Sequence, residues 1–353
     1  MDVGALQVAW LVPPFGRGSE EHAVVAHLVR GLEARGHRCG VWVVDPEGRE
    51  EDASEAELGR GWQELFGPVD GRVRRWTEES WEGADVAVAC GWQTVPRTLL
   101  VPGVAARMSF VQDYEPDLHP ASASREWAAW SYEQGLDCMA LTPWLAEKLR
   151  REHGARTVPL DPAVDHEVFK PLAIERREDL VLFRARAEVA RNAVPLGALA
   201  LEELHRRRGD SVQIVLFDDA RPLELPFPHR TLGVIEGEEL AQAFNAATVG
   251  LALDLSVPSQ ICGSMLACGL PVVDLATEAT FATFGTDGPI ALAPADPLAL
   301  CDAIEHLLDD FEQRAARVRV GLEWAESRTW QATTGQVAAA LAAAVERAGA
   351  DLR

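Results

Sequence analysis

The sequence predicts an α/β protein built from two doubly wound, Rossmann-like domains. Three observations lead there. The chain has 353 residues, 48% of them hydrophobic, which suits two domains at roughly 150 residues each. Short apolar runs alternate with longer amphipathic ones almost throughout, the pattern of repeated β–α units that give parallel sheets with helices on both faces. The alternation breaks once, at the polar, proline-bearing DPAVDHEVFKPLA (161–173), and then restarts. That block reads as a linker between a domain over 1–170 and a second over 174–326. Ligands of such sheets bind beyond the carboxyl ends of the strands, here in a cleft that the two domains face.

The elements follow in order. LQVAWLVPP (6–14) predicts a first strand. His22, Val25, Leu28, Val29 and Leu32 sit at helical spacing, so a helix is expected from Glu20 to Arg35, stopped by Gly36. GVWVVD (40–45) predicts a second strand, and the acidic segment Glu47–Gly61 a surface excursion. ADVAVACGW (84–92), RMSFVQDY (107–114) and CMALTP (138–143) predict strands running into loops, with helices over 122–135 and 143–153. After the linker come strands at 180–186, 212–219, 229–235, 249–255 and 271–275. Helices are expected at 193–208, 237–247, 296–310, 311–326 and 329–348.

Composition limits the function. The formal net charge of −22 argues against a general nucleic-acid surface. An anionic ligand needs local positive charge, since a Debye length of about 8 Å screens the distant acid. Only two of the 33 basic residues are lysines, Lys148 and Lys170, which reads as codon bias. The six cysteines form no CxxC pair and mostly lie in apolar runs, so buried reduced thiols are expected, not a disulfide framework or a metal site. The opening LQVAWLVPPF lacks a basic leader, and no apolar run approaches the ~18 residues of a membrane span. A soluble cytoplasmic protein is expected, with no nucleic-acid partner and no reading of its oligomeric state.

Several stretches bear on chemistry. In FRARAEVARNA (183–193), Arg186 and Arg191 flank a strand-to-helix turn. Guanidinium forks match phosphate oxygens, and helix amides add attraction; two solvated surface arginines account equally for the spacing. VPSQICGSMLACGLPVV (257–273) joins two apolar runs through a short helix. Ser256 and Ser259 flank Pro258, and Gln260 to Cys262 would expose first-turn amides, so the stretch reads either as an anion site or as a capped crossover helix. FVQDYEPDLHP (110–120) carries Gln112, Asp113, Tyr114 and Glu115 out of a strand, and Asp113 or Glu115 would bind hydroxyls, act as a base, or merely cap a turn. Trp92, Trp127 and Trp130 read as an acceptor surface or as core. PPFGRGSEEH (13–22) is no GxGxxG fingerprint, which argues against a dinucleotide-dependent dehydrogenase.

In this order FVQDYEP, LTPWLAEKL, AVDHEVFKP, the block 225–251 and PS…MLACGLPVVDL (258–275) resemble the retaining, family-four type of GT-B glycosyltransferase. They are most similar to its bacterial branch that uses dTDP-L-rhamnose in surface-glycan synthesis. The resemblance spans most of residues 6–275. It implies two Rossmann-like domains, a nucleotide held mainly by the second, and a last segment, 327–353, that returns to the first. It implies a dTDP-sugar donor, a hydroxyl acceptor (a glycan or a natural product) and no metal or other cofactor. By position, Arg186 and Arg191 match the basic residues on the donor diphosphate, and Gly233 and Val234 the loop near the base. Ser259, Gln260 and Ile261 match the backbone that meets phosphate and sugar, with Ser256 and Ser264 beside them. Gln112 and Asp113 match the loop facing donor sugar and acceptor, and Tyr114, Glu115 and Trp92 fall on the acceptor side. Arg186, Arg191 and Asp113 form the expected catalytic set.

There are departures. Glu20 and Glu21 stand where such proteins usually have paired glycines, and Asp218 replaces a usual glycine. Ser264 stands where a glutamate usually holds the ribose, and losing that charge-assisted bond costs roughly 1.5–3 kcal/mol. The alternative to an active transferase is therefore an impaired GT-B accessory protein that partners an active one.

Overall fold

A computed structural model describes residues 4–45 and 53–351. The chain divides into two compact units, one comprising residues up to Asp161 together with the segment from Trp330, the other Pro162–Thr329.

The first unit is a seven-stranded sheet. Its elements are β1 (Gln7–Val12), α1 (Glu20–Glu33), β2 (Arg38–Val43), α2 (Glu55–Phe66), β3 (Val73–Arg75), β4 (Ala84–Cys90), α3 (Val95–Leu100), β5 (Val104–Val111), α4 (Ala123–Ser131), β6 (Asp137–Ala140), α5 (Pro143–His153) and β7 (Thr157–Pro159). The strand order is β3-β2-β1-β4-β5-β6-β7 with every pairing parallel. Strands β1 and β4 are buried along most of their length because helices cover both faces of the sheet.

The described part of the acidic segment read as a surface excursion, from residue 53 on, is mostly helix. Residues 46–52 lie outside the described residues, but α2 begins at Glu55 with a capping box between Ser54 and Glu57. Its Leu58 and Trp62, four apart, face inward, and Trp62 is fully buried. That ring meets Phe15 at 5.3 Å and Phe66 at 5.0 Å, both edge-on. Strands β3 and β7 and helix α3 were not expected; each is too short to show a period.

The second unit has a six-stranded parallel sheet. Its elements are β8 (Leu180–Arg184), α6 (Val194–Arg208), β9 (Gln213–Phe217), β10 (Arg230–Thr231), α7 (Gly237–Ala246), β11 (Val249–Leu251), α8 (Gln260–Ala267), β12 (Val272–Leu275), α9 (Glu278–Phe284), β13 (Ile290–Ala293), α10 (Pro297–Asp309) and α11 (Phe311–Glu326). The order is β10-β9-β8-β11-β12-β13.

The proposed linker belongs to this unit, so the division falls at Asp161 and Pro162, not across 170–174. Val164 packs with Ala267 and Ala325, its amide bonds Arg328 O at 3.0 Å, and Phe169 lies 5.9 Å from the Phe244 ring. Two or three apolar residues among prolines and charges show no period in the sequence, yet suffice to fix the segment.

The last helix, α12 (Trp330–Asp351), lies in the first unit. Val337, Ala340, Leu341 and Ala344 join the core that contains Trp10 and Leu28. It approaches α1 closely at Gly31, where an added Cβ would stand 2.5 Å from Thr334 Oγ1. The Trp330 ring stacks on His27 at 4.3 Å.

All six cysteines are buried and unbridged. Burial pushes the thiols of Cys39, Cys138 and Cys268 up to about 12, so they stay protonated and inert near neutral pH. Among the described residues no helix is long and apolar enough to cross a membrane.

Candidate functional site

Each sheet reverses its direction of growth once. In the first unit the reversal falls between β1 and β4, in the second between β8 and β11. Loops splay apart beyond such a point and leave a crevice at the carboxyl ends of the strands. The sequence-predicted residues gather at these two places.

In the second unit, Arg186 follows β8, and Arg191 lies in the single turn before α6. Arg186 Nε is 3.4 Å from Glu188 Oε1, and Arg191 Nε is 3.5 Å from Asp254 Oδ2. Both guanidiniums are partly exposed, at 22% and 28%. At these separations the pairs are looser than a hydrogen bond. The loop after β8 is joined to the loop after β11, because Leu255 N donates to Arg191 O at 2.9 Å and Asn192 Nδ2 to Asp254 Oδ2 at 3.3 Å.

Beneath them, Asp274 is fully buried and accepts from the amides of Asp254 and Leu275. Burial pushes its carboxyl well above the usual range, with the charge of Asp254 adding to the effect. Ser256 N donates to Asp254 Oδ1 at 3.0 Å, which fixes Ser256 at the same loop.

Ser259 is the N-cap of α8, its hydroxyl accepting from Ile261 N at 3.4 Å. Gln260 and Ile261, in the first turn of α8, are both partly exposed. Ser264 lies further along α8, partly buried. Gly233 takes φ +66 and Val234 is 42% exposed, in the loop after β10. That loop is tied to the end of β9: Asp218 N donates to Gly233 O at 2.8 Å and Thr231 Oγ1 to Asp219 at 2.7 Å. The expected strand 229–235 shrinks to β10 because Gly233 turns the chain away.

In the first unit, a pocket opens between β1 and β4, lined by Pro13, Glu21, His22, Gly91, Gln112, Asp113 and Glu115 among others. Its side chains are chiefly hydrogen-bond acceptors. Gln112 donates through Nε2 to Glu21 O at 3.0 Å, leaving Oε1 without a partner among the described residues. His22 is saturated between the Ser19 hydroxyl at 2.6 Å and Pro13 O at 3.1 Å. Burial holds its imidazole below the ordinary value, hence neutral at pH 7. Asp113 is 7% exposed and accepts from Tyr114 N at 2.8 Å.

Glu115 accepts from Trp92 N at 3.2 Å and from Tyr132 Oη at 3.1 Å. Burial, and then the nearby charge of Glu21, push its carboxyl up to about 8. The folded protein thus holds this proton more tightly than the unfolded chain, so stability falls as pH rises from about 4.5 to about 8. Glu115→Gln should flatten that slope, measured by urea unfolding across the window. An unchanged slope would mean the carboxyl is ionised throughout.

Trp92 and Tyr114 do not line the pocket. The Trp92 ring, 9% exposed, packs edge-on against Trp127 at 5.0 Å, and it is the backbone amide that serves the site. The Tyr114 hydroxyl bonds His153 Nε2 at 2.9 Å. Trp127 and Trp130 are 42% and 39% exposed.

Sequence reasoning missed Arg184, Asp254 and Asn192, whose partners are remote in the chain. It noted Glu21 only as standing where paired glycines are usual; in the structure Glu21 walls the first unit's pocket. Among the described residues no group of three or more His, Cys, Asp or Glu is arranged to hold a metal ion.

Two parallel Rossmann-like units with these switch-point sites define the GT-B type of fold, and solved structures agree. HepE from Anabaena in complex with UDP-glucose superposes with a TM-score of 0.74 at 13% identity, over 96% of this chain and 100% of that one. Sucrose-phosphate synthase from Thermosynechococcus elongatus gives 0.71 at 15% identity, over 95% and 98%. In sequence, the chain is 30% identical over 345 residues to the O-antigen biosynthesis protein RfbC of Myxococcus xanthus. That match covers 93% of this chain but only 26% of the relative, so the chain spans about a quarter of that protein's length. No protein-family model matches the chain.

Proposed function

We propose that this chain is a glycosyltransferase that moves a sugar from a nucleotide-sugar to an acceptor hydroxyl. The observation that carries the reading is the second unit's switch point. There two partly exposed guanidiniums, Arg186 and Arg191, share the β8–β11 crevice with the first-turn amides of α8. Fixed donors of this kind stabilise the charge that grows on a departing diphosphate. The fold shared with a UDP-glucose-bound protein and the likeness to an O-antigen biosynthesis protein support the same reading.

In finer terms, the donor is a dTDP-deoxysugar of rhamnose type and the reaction retains configuration. The Gly233–Val234 loop borders the base, and Ser256, Ser259, Gln260, Ile261 and Ser264 border phosphate and sugar. In a retaining reaction the leaving phosphate can itself assist the acceptor, so no strong protein base and no metal is required. The first unit supplies the acceptor side. Gln112 Oε1 and Asp113 are acceptors, so they suit a ligand that brings hydroxyl donors, while Glu115, protonated near neutral pH, offers a donor beside them.

The test is release of nucleotide from a panel of dTDP-, UDP- and GDP-sugars by the purified chain. Turnover of a dTDP-sugar above the others is expected; no release from any donor, with or without glycan acceptors, would sink the reading. Glu21 in the pocket wall and a serine at 264 favour a second reading, an impaired GT-B partner of an active transferase. Calorimetry separates the two, since that partner would bind neither dTDP nor UDP at millimolar ligand.

A further inference from the structure

We infer that Arg184 is a positioning residue of the second unit's site, acting through Ser259 to turn that hydroxyl into an obligate donor toward a phosphate oxygen. The inference rests on the nucleotide-sugar reading of this site. Arg184 ends β8 and is 3% exposed. A buried guanidinium needs close partners, since desolvation penalises an unpaired charge. Among its partners, Nε donates to Asp218 Oδ2 at 2.7 Å and Nη1 to Ser259 Oγ at 2.6 Å.

The Ser259 oxygen already accepts from Ile261 N as the cap of α8. A hydroxyl has two lone pairs and one proton. With the short guanidinium bond on one lone pair and the longer Ile261 N contact on the other, the proton is what remains to offer, and the guanidinium on the oxygen polarises it further. A group held to donating, at the N-cap of α8, matches an anionic oxygen. It does not match a sugar hydroxyl that must itself donate.

Asp218 shows that the arrangement is retained at a cost. It takes φ +63, a conformation glycine adopts freely and other residues adopt with strain. Its carboxylate holds Arg184 while its amide holds Gly233 O at 2.8 Å. One residue thus links the Gly233 loop, through Arg184, to the cap of α8.

The experiment compares wild type, Ser259→Ala, the paired variant Arg184→Met with Asp218→Gly, and the combination of all three substitutions. The paired variant removes charge and strain together. Arg184→Gln with Asp218→Asn removes both charges while keeping polar side chains at both positions, and serves if the first pair fails to fold. Affinities for UDP and dTDP are read by calorimetry, and those for uridine and thymidine by ligand-observed NMR. Either pair should weaken diphosphate binding about tenfold and leave nucleoside binding unchanged. Adding Ser259→Ala to a pair should cost nothing more, because the hydroxyl has already lost its polarising partner. Steady-state rates should show the loss in donor KM more than in kcat. A folded pair that binds diphosphate like wild type, or one in which Ser259→Ala still costs its full amount, overturns the inference alone. Wild type that binds neither diphosphate overturns it together with the donor reading.

Discussion

Arg186→Ala is expected to cut turnover of the nucleotide-sugar about 10²–10³-fold, the usual cost of removing one preorganised donor to a developing oxyanion. The side chain forms a 3.4 Å pair with Glu188 and is 22% exposed, so replacing it leaves the core undisturbed. Thermal stability should therefore change little, since exposed ion pairs contribute ~0–1 kcal/mol. Initial rates with a saturating donor, read beside a melting curve, decide the matter. Glu188→Gln is the mirrored control: freeing Arg186 of its carboxylate should leave nucleotide affinity equal or tighter. Unchanged turnover in Arg186→Ala would remove it from the catalytic set.

Trp62→Ala should destabilise the first unit by ~3–5 kcal/mol, the range for emptying a large buried aromatic site. The ring is fully buried and is surrounded by Phe15, His22 and Phe66, which have no means of refilling the space. Its indole N–H has no hydrogen-bond partner among the described residues. Trp62→Phe should therefore retain most of the stability, which separates lost volume from a lost polar contact. Denaturant unfolding followed by circular dichroism measures both, and a loss below about 1 kcal/mol for the alanine variant would show that α2 is not integral to the core.

Trp62 also marks where the sequence was hard to read. Its helix places apolar residues at Leu58, Trp62 and Phe66, one per turn, among glycines and acids that dilute the period. Longer elements such as α1 and strands such as β4 declared themselves, because many apolar positions agree in one short window. The proposed donor-side residues stand out in the sequence for the same local reason: Arg186 and Arg191 lie close together around one strand-to-helix turn, and Ser256 to Ile261 on one loop and helix start. Arg184 was missed because nothing nearby distinguishes it from Arg186. What separates them is Asp218, 34 positions on, and Ser259, 75 positions on. The 161–173 block misled for a related reason, its role being decided by Ala267, Ala325 and Phe244 across the second unit's own core.

The first unit is discontinuous in the chain, and the second is inserted within it. During synthesis the second unit is complete while the first still lacks Val337, Ala340, Leu341 and Ala344 of its core. A chain cut short before α12 would thus carry a finished second unit and an exposed apolar face on the first. The insertion also has a genetic consequence. The two ends of the second unit run side by side, with Val164 bridged to Thr329. A segment that starts and stops at one place can be exchanged as a cassette with little strain on its host. Recombination at these two points would replace the second unit and leave the first unit's pocket as it was.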